Sequence, residues 1–439
     1  MLLPMHTQEG PLSRLRRDHE ELVLGLLRRH GPQSRAELGQ RVGLSRTTLY
    51  DIVGDLVASG AVIGEQANPE PRRRGRPVER LRLNPATGQA VGIDFARRAV
   101  HVAAANVAHE IIGSAGHAHG PDLSWSERVG LAVRLARSLG GPGFGLDALG
   151  VVGAIGVGLV GPVPDAVRRD AGEAERLVAE AFGAPVLVDN NTRLAALSEC
   201  TWGAAAGCPD VLYLRLSHGV GGGLVIDGAL HRGAAGLSGE FGHITAVPDG
   251  APCVCGGRGC LETVASVGAV LAAHRAAGGA ARTLPALLAA VRDGDPSARA
   301  VLAGAGRHVG AVLAAVCTAV GPEVVVLGGE LAEAGEALLV PVREALDARM
   351  MPAARPGVVV RTAALGEVAG ALGGIALALH ESPLLNRAVL AAQPAARRGA
   401  AAPRATVASP RTQPPARQPA RTASPARTAG PARTRGEGA

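Results

Sequence analysis

Four residues between positions 243 and 260 carry side chains that zinc prefers. Cys253, Cys255 and Cys260 supply three thiolates within eight residues, and His243 adds an imidazole. A Cys₃His set suits the tetrahedral geometry of Zn²⁺, and the three glycines between Cys255 and Cys260 permit the tight turns that aim the sulfurs at one point. The alternative is three cytosolic thiols that lie close together by chance, but the spacing favours a metal. Because four protein ligands leave no open coordination position, the sequence predicts a structural zinc ion that holds a loop and does not activate water.

Length and composition limit the kind of protein that carries this loop. The chain has 439 residues, 47% of them hydrophobic, which is enough for roughly three domains of about 150 residues each. Six cysteines are too few for a disulfide scaffold. Residues 1–10 have neither an apolar core nor a cleavage site of a signal peptide, and no apolar run reaches about 18 residues without Gly, Pro or charge. We therefore expect a cytoplasmic protein that does not span a membrane.

Positive charge is concentrated at the two ends of the chain. Residues 1–83 carry 14 arginines against 10 acidic residues, residues 391–439 carry 9 against one, and the residues between are mildly acidic. This asymmetry indicates a nucleic-acid partner at one end. Residues 382–439 are dominated by Ala, Pro, Arg, Ser and Thr, so we expect a disordered tail that supplies nonspecific attraction to phosphates.

Residues 12–84 have the pattern of a winged helix-turn-helix. An amphipathic helix stops at Gly31-Pro32, and Ser34 and Ser45 cap two further helices. Two short strands follow and enclose an arginine-rich loop, as expected for a wing. The helix that begins at Ser45 would then be the recognition helix.

The start of that helix and the wing loop hold the candidate DNA contacts. In the helix these are Ser45, Arg46, Thr47, Thr48 and Tyr50, and in the loop they are Arg74 and Arg76. The two loop arginines belong to an Arg-Gly-Arg-Pro sequence that resembles an AT-hook core, whose extended arginines enter a narrow A·T minor groove. The alternative for the helices is a protein-interaction cap with a solvated face. The alternative for the arginine-rich loop is that it is simply solvated and binds nothing. Helix and wing together favour double-stranded DNA as the partner.

The next 300 residues alternate between β-runs and Ala/Leu-rich helices, which predicts α/β architecture. Here the chain resembles the ROK family, which contains sugar kinases and sugar-responsive repressors. Glu240-x-Gly-His243, nine residues, and then Cys-x-Cys-Gly-x-x-Gly-Cys-x-Glu262 match the family signature without a gap, and the resemblance runs from about Leu12 to His380.

This resemblance implies a particular domain organisation. A winged helix-turn-helix over 12–84 would precede a two-lobed ROK domain over 85–381 with an actin-like, ribonuclease H-like fold. The small lobe would comprise about 88–200 plus a last helix over 366–380, and the large lobe about 201–365. The resemblance also implies that His243 and the three cysteines bind zinc while Glu240, His243 and Glu262 face the hydroxyls of a sugar. The alternative for the two glutamates is that they are surface carboxylates.

A second matching segment is Val188-Asp189-Asn190-Asn191, at the end of a predicted strand. In ROK kinases the last residue of the corresponding triplet is an Asp that deprotonates the sugar hydroxyl. Here that position is Asn191, whose amide cannot take the proton. We therefore expect Asn190 and Asn191 to bind sugar without transforming it. Turn and helix-cap chemistry is the alternative for Asp189 and for one of the two asparagines.

The first phosphate-binding hairpin is also altered. Family kinases carry Asp-x-Gly-Gly-Thr there, whereas this chain has Asp94-Phe-Ala-Arg97-Arg98, so side chains block the approach of ATP to the backbone. The sequence thus predicts a non-enzymatic, sugar-responsive regulator, a repressor that binds an operator as at least a homodimer. The competing hypotheses are an active ATP-dependent sugar kinase with a DNA-binding appendage, and a constitutive DNA-binding protein with a vestigial cleft.

Overall fold

The computed structural model describes residues 11–66, 79–120, 122–139, 154–161, 169–353 and 355–382. Two sequence predictions fall outside these ranges. They are the wing-loop arginines Arg74 and Arg76, and the tail beyond residue 382.

The N-terminal part is a helix-turn-helix with a small sheet. Its helices are α1 Pro11–His30, α2 Arg35–Val42 and α3 Arg46–Ala58, and its strands are β1 Gln33–Ser34, β2 Val62–Gln66 and β3 Glu79–Leu83, in the order β1-β3-β2. Ser34 forms a capping box with Glu37, Ser45 caps α3, and Gly43 ends α2 with a φ of 67°. These local signals are the ones that the sequence displays, so this fold was predictable.

One detail of α1 differs from the sequence prediction. Leu22, Val23, Leu26 and Leu27 recur at helical spacing, which predicts a buried face that includes Leu22. In the structure Leu22 is 43% exposed, whereas Leu24 is fully buried with Val23 and Leu27. The core that contains these residues also includes Leu379 from the last helix of the chain. Because α1 packs on that helix as well as on its own domain, its buried face is rotated from the one that an isolated domain would use.

The first lobe contains a five-stranded sheet. Its strands are β4 Gln89–Ala96, β5 Ala99–Asn106, β6 Ile111–Ala118, β7 Ile155–Leu159 and β8 Val186–Asn190, in the order β6-β5-β4-β7-β8. Strands β4, β7 and β8 are parallel, and the hairpins to β5 and β6 are antiparallel. Helices α4 Trp125–Ser138 and α5 Arg169–Phe182 cover one face and α12 Ala369–Glu381 the other. A side chain at Gly92 or Gly156 would overlap the backbone of α12, so both positions require glycine.

The second lobe repeats the same strand order. Its strands are β9 Val211–Leu216, β10 Val220–Ile226, β11 Ala229–His231, β12 Val324–Gly328 and β13 Val359–Thr362, in the order β11-β10-β9-β12-β13. Its helices are α7 Glu262–Ala265, α8 Val267–Ala276, α9 Leu284–Arg292, α10 Pro296–Val320 and α11 Glu336–Arg349. Helix α6 Asn191–Thr201 packs against β9 and β10 of this sheet and also against α12. Two α/β lobes of one topology joined through α6 and α12 confirm the predicted actin-like fold class.

Helix α10 is long and apolar enough to cross a membrane by those two criteria alone. Of its most apolar window, 56% is buried inside the protein. Its buried side chains, such as Leu302, Val309 and Leu313, pack with the core of the second lobe. Interior packing therefore accounts for its apolar composition.

Sequence periodicity did not predict four of the described strands and two of the described helices. These are β1, β6, β11, β13, α7 and α9. β6 reads Ile-Ile-Gly-Ser-Ala-Gly-His-Ala and lies exposed at the edge of its sheet, so it lacks the apolar pattern of a buried strand. The domain boundaries at residues 84, 200 and 381 stay predictions.

Candidate functional site

The four predicted metal ligands converge on one point. Their donor atoms all lie within 4.8 Å of one another. His243 Nδ1 is 3.5 Å from Cys253 Sγ, and Cys255 Sγ is 3.6 Å from Cys260 Sγ. The edges of a tetrahedral zinc site with bonds of about 2.3 Å are about 3.8 Å long, so this donor set fits a closed Cys₃His metal site. A disulfide would require a separation of about 2 Å between sulfurs.

Backbone contacts also shape the metal loop. Gly259 has a φ of 66° and lies so close to the carbonyl of Val247 that a side chain would overlap it. Two isolated bridges, Thr245 with Cys260 and Pro252 with Arg258, hold the loop antiparallel. The N–H of Gly257 donates to Cys255 Sγ and lowers the pKa of that thiol, which favours the thiolate that binds metals.

His243 has one ring nitrogen on each side of this arrangement. Nδ1 faces the cysteines, while Nε2 lies 3.9 Å from Glu240 Oε2. A metal on Nδ1 leaves the proton on Nε2 and aims it toward the glutamate side. Since 3.9 Å is beyond hydrogen-bond distance, the Nε2–H can donate to a ligand hydroxyl oxygen while Glu240 Oε2 accepts from a ligand hydroxyl. Both side chains are roughly 70% buried, with 30% and 27% exposed.

Glu262 ties the metal loop to the second sheet. Its Oε2 accepts a hydrogen bond of 2.9 Å from the N–H of Val220, the first residue of β10. The next residues of β10 lie close to the segments that hold Glu240 and Asn191. Gly222 packs on Phe241, beside Glu240, and a Cβ at Gly221 would lie 3.7 Å from Thr192. β10 is therefore the element that links the Glu240 side of the cleft to the start of α6.

The two asparagines at the start of α6 have different roles. Asn190 Oδ1 caps the helix by accepting from the N–H of Thr192 (2.8 Å) and Arg193 (3.1 Å), and its Nδ2 donates to the carbonyl of Gly161 over 2.7 Å. Asn191 Nδ2 instead donates to Asp94 Oδ1 over 3.1 Å. Asn190 is thus the member of the pair that provides the helix-cap chemistry which the sequence left open.

Asp94 is the partner that sequence analysis missed. It is 2% exposed, and burial raises the pKa of its carboxyl, while the charge of Arg215 and the hydrogen bond from Asn191 lower it. The sequence could have pointed to Asp94 as a site residue, because it stands in the first hairpin of the family pattern. Its contact with a residue 97 positions away could not be read from that pattern. Arg97 and Arg98 form the exposed turn of this hairpin.

A buried ion network behind the asparagines was also not predicted. Asp189 accepts from Arg193 Nε over 2.7 Å and from Arg232 Nε over 2.5 Å, and Arg232 Nη1 lies 2.8 Å from Glu381. Arg193, 2% exposed, also donates to the carbonyl of Gly236 over 2.5 Å. The network joins β8, α6, the segment after β11 and α12. It therefore connects both lobes directly behind the cleft.

A separate cavity of about 680 Å³ lies in the second lobe. It is lined by residues of the turn after β9, of α8 and α9, and of the turn after β12, among them His218, Arg282, Arg292 and Glu330. Oε2 of Glu330 is buried and has no hydrogen-bond partner among the described residues. The cavity adjoins the glycine-rich turn Gly328-Gly329, because Glu330 directly follows that turn.

The predicted recognition helix presents a polar surface. Arg46, Thr47 and Tyr50 are exposed, while Ser45 Oγ accepts from the N–H of Thr48 over 3.1 Å. Two guanidiniums lie near the ring of Tyr50, which is 47% exposed: the centroid is 5.4 Å from Arg35 and 5.5 Å from Arg46. Arg35 was not among the predicted DNA contacts.

The end of α1 contacts both lobes. On the first lobe, Arg28 Nη1 donates to the carbonyl of Ser382 over 3.0 Å, and the Arg28 carbonyl meets His109 Nε2. Trp202 Nε1, just after α6, donates to the His109 carbonyl over 2.8 Å. On the second lobe, the ring of His30 lies 3.8 Å from the position of a Cβ at Gly228, in the β10–β11 turn. The helix-turn-helix is thus in contact with the lobes on either side of the cleft.

A winged helix joined to a two-lobed, actin-like domain with a Cys₃His loop defines the class of this protein. Residues 147–381 match the ROK family, and residues 16–63 match a winged helix-turn-helix DNA-binding family. The chain therefore belongs to the ROK family and carries an N-terminal winged helix.

The similar proteins fall into two groups. A glucokinase of Halalkalibacterium halodurans is 37% identical over 43% of this chain and 62% of its own length. The xylose repressor of Caldicellulosiruptor bescii is 26% identical over 79% of this chain and 92% of its own, and the DNA-binding transcriptional repressor Mlc of Escherichia coli is 25% identical over 87% and 98%. A solved ROK transcriptional regulator, a homologue of Mlc, aligns with a TM-score of 0.67 and 24% identity over 86% of this chain and 99% of its own. The chain thus spans less than two thirds of the glucokinase but nearly all of each repressor.

Proposed function

We propose that this protein is a DNA-binding transcription regulator, a repressor of carbohydrate-related genes, whose operator affinity changes when a sugar occupies the cleft. The contact between Asn191 and Asp94 carries this proposal. An amide can hydrogen-bond to a sugar hydroxyl but cannot remove its proton near neutral pH. The names of the two repressors that match over most of the chain support the same conclusion.

The sugar would be held by hydrogen bonds from both sides of the cleft. Glu240, Glu262 and Nε2 of His243 would pair with hydroxyls on the metal-loop side, and Asn191 would do so at the start of α6. Asn190 would contribute through the amide hydrogen that is not donated to Gly161, since its oxygen caps the helix. No residue in this set is assigned a catalytic role.

Zinc is the metal that we assign to the Cys₃His cluster. Three thiolates and one imidazole form a tetrahedral set that suits Zn²⁺ and leaves no position for a reacting water. Its role would be structural. It would fix the ring of His243 and hold the loop that leads to Glu262.

The sugar signal would reach DNA through the contacts at the end of α1. Because α1 contacts both lobes, a change in their relative position would change the contacts that hold α1, and with it the placement of the DNA-binding domain. The sugar must favour the arrangement that binds DNA less well, and by linkage the operator weakens sugar binding equally. A coupling of about 1 to 3 kcal/mol would change operator affinity roughly 5- to 150-fold.

The DNA-binding surface would comprise the start of α3 and the wing. Its proposed contacts are Ser45, Arg46, Thr47, Thr48, Tyr50, Arg74 and Arg76. A winged helix that reads a palindromic operator requires a two-fold assembly, so we propose at least a homodimer acting in the cytoplasm.

An ATP-dependent sugar kinase with an N-terminal DNA-binding domain is the second candidate. The cavity beside Gly328-Gly329 favours it, as does the 37% identity to a glucokinase. The altered hairpin at Arg97-Arg98 and the amide at Asn191 oppose it, because both the phosphate turn and the base would be missing.

A coupled assay of ADP release across common hexoses separates the two candidates. The regulator predicts no turnover with any sugar, together with a thermal shift for at least one, since a ligand that binds only the folded state raises its stability. Turnover that is abolished by Asn191→Ala would overthrow the proposal. The same thermal shifts should be measured on Asn191→Ala. They should be smaller than those of the wild type, because the variant lacks the amide that binds the sugar.

A further inference from the structure

Arg232 joins the two lobes through a single guanidinium. It follows β11 in the second lobe, and its Nε donates to Asp189 Oδ2 near the end of β8 over 2.5 Å. Its Nη1 lies 2.8 Å from Oε1 of Glu381, the last residue of α12. Strand β8 and helix α12 both belong to the first lobe. One side chain of the second lobe is therefore paired with two carboxylates of the first.

The two ion pairs of Arg232 differ in burial. Asp189 is 1% exposed and also accepts from Arg193 Nε, whereas the side chains of Arg232 and Glu381 are 36% and 40% exposed. Removing a charged partner from a buried carboxylate is costly, but water can replace the guanidinium beside an exposed one. If the lobes change their relative position, the bond to Glu381 is therefore the one that breaks at low cost.

The segment that begins at Arg232 leads directly to the proposed sugar ligands. Seven residues separate Arg232 from Glu240. The N–H of Ser238 donates to the carbonyl of Arg232 over 3.0 Å, which closes the segment into a compact loop. Gly239 has a φ of 94°, and a Cβ there would lie 2.4 Å from the carbonyl oxygen of Gly222, so the loop is packed closely on β10. A displacement of Glu240 would therefore be carried to Arg232.

At its other end, the exposed ion pair adjoins the contact that holds the DNA-binding domain. Ser382 follows Glu381, and its carbonyl accepts from Arg28 Nη1 of α1 over 3.0 Å, with both residues buried. Glu381 also places a negative charge at the carboxyl end of α12, where the helix dipole disfavours it. The guanidinium of Arg232 offsets this repulsion. The pair therefore helps to fix the end of the helix on which α1 packs.

We infer that Arg232 is a positioning residue of the sugar response, because its pair with Glu381 forms in the sugar-free arrangement of the lobes and separates when sugar binds at Glu240. The inference rests on the proposed function and names how the same cleft is coupled to DNA. The exposed pair would open, while the buried pair with Asp189 remains as the pivot. The end of α12 would then hold α1 less firmly.

Glu381→Gln isolates the exposed pair, because it leaves the contacts of Asp189 intact. If the pair stabilises only the sugar-free arrangement, removing it shifts the population toward the arrangement that binds sugar. The affinity of the DNA-free protein for sugar should then rise by about 2- to 5-fold, as expected for a half-exposed ion pair. The sugar concentration that releases half of the operator should fall by the same factor. A residue with only a structural role would lower stability without raising sugar affinity.

Calorimetric titration and fluorescence anisotropy of a labelled promoter duplex measure these two quantities on the full-length protein. The probe is whichever of glucose, xylose, galactose, mannose and N-acetylglucosamine gives the largest thermal shift with the wild type. Glu180→Gln is the matched control. Glu180 forms an exposed ion pair with Arg176 near the end of α5, which covers the face of the first sheet opposite to α12. This variant should change neither quantity.

A double-mutant cycle assigns the effect to the pair. Arg232→Gln should also raise sugar affinity, and adding Glu381→Gln to it should have no further effect. If Arg232→Gln does not fold because Asp189 loses a partner, salt provides the same test. Raising the salt concentration from about 0.05 M to about 0.5 M screens exposed charges, so the sugar affinity of the wild type should approach that of Glu381→Gln.

The remaining outcomes separate this inference from the proposed function. Unchanged or weaker sugar binding by Glu381→Gln, while sugar still releases the operator from the wild type, overturns the inference and leaves the proposed function standing. An equal rise of sugar affinity in Glu180→Gln also overturns it. If no sugar of the panel binds the wild type, or none affects its operator binding, the proposed function fails and the inference fails with it.

Discussion

The amide of Asn191 donates a hydrogen bond to the carboxylate of Asp94 over 3.1 Å, although 97 residues separate them in the chain. The pair joins the start of α6 to β4, near the carboxyl end of that strand. An amide satisfies the buried carboxylate without adding charge. The contact thus explains why an asparagine is stable at the position where family kinases place a base.

Replacing Asn191 with aspartate should make stability depend on pH. Two carboxylates about 3 Å apart cannot both ionise, so the folded-state pKa of the pair would rise further. A carboxyl whose folded pKa is raised contributes stability below its unfolded pKa of about 4, and that stability is lost as pH increases through the folded pKa. We expect urea denaturation to show a deficit for Asn191→Asp that grows between pH 4 and pH 8.

Asn191→Ala serves as the control, because it removes the hydrogen bond without adding charge. Its deficit should change less with pH. Equal stability of Asn191→Asp and the wild type at pH 8 would show that Asp94 does not respond to a charge at position 191.

Removing one metal ligand should abolish the sugar response before DNA binding. Cys255→Ser breaks the closed Cys₃His set, so the loop that orients His243 should lose its order. Metal content measured by mass spectrometry should fall, and operator affinity should no longer respond to sugar. Cys208→Ser is the matched control, since Cys208 lies outside the cluster. Simultaneous loss of operator binding in Cys255→Ser would mean that the loop also holds the dimer together.

The hydrogen bond between Trp202 and the carbonyl of His109 should transmit the signal between cleft and DNA-binding domain. Trp202→Phe removes the donor but keeps the apolar ring, and we expect the ratio of operator affinities with and without sugar to fall by a factor of about 2 to 10. Sugar affinity itself should change little. Trp125→Phe is the control, because Trp125 packs on Phe95 away from this junction.

Fluorescence anisotropy of a labelled operator duplex measures this ratio. An unchanged ratio in Trp202→Phe, with the tryptophan control also unchanged, would exclude this path.

Acidification should weaken the same junction. Burial lowers the pKa of His109 to about 4; a hydrogen bond with the Arg28 backbone opposes this shift, and the charge of Arg28 adds to it. A histidine whose folded pKa is depressed binds protons more readily when unfolded, so its stability contribution is present above about pH 6.5 and is lost as pH falls toward 4. Denaturation midpoints should drop over this range.

His109→Asn tests the source of that slope. Asparagine tolerates the φ of 67° at this position but does not titrate. The variant should therefore lose part of the pH dependence between 6.5 and 4. A slope identical to that of the wild type would assign the effect to other groups.

The tip of the wing is tested by Arg76→Ala. If this arginine enters the minor groove, operator affinity should fall by about 1 to 3 kcal/mol, and mostly at A·T positions. Binding to a series of duplexes substituted at single positions measures this. Equal weakening on all sequences would make Arg76 a phosphate contact.

The sequence predicted features that depend on neighbouring residues better than contacts between residues far apart in the chain. Ser34 and Ser45 could be recognised as caps, and the metal loop followed from the spacing of three cysteines and its glycines, because these features depend on neighbouring residues. The partner of Asn191 and the ion network of Asp189 depend on how the two lobes pack. Composition and periodicity carry no information on such pairs.

The contact of α1 with α12 shows the same limit. Periodicity predicted a helix ending at His30, but the burial of Leu24 in place of Leu22 reflects packing on α12, whose Leu379 lies 355 residues further along the chain.

The central claim is most directly tested by titrating sugars into a complex of the purified protein with duplex DNA from its own promoter region, while ADP release is followed in the same mixture with ATP present. The account predicts that at least one sugar or sugar derivative changes operator affinity by about 5- to 150-fold while no phosphorylated product accumulates. Multiple cycles of phosphorylation per protein molecule, or no affinity for any promoter duplex, would contradict it.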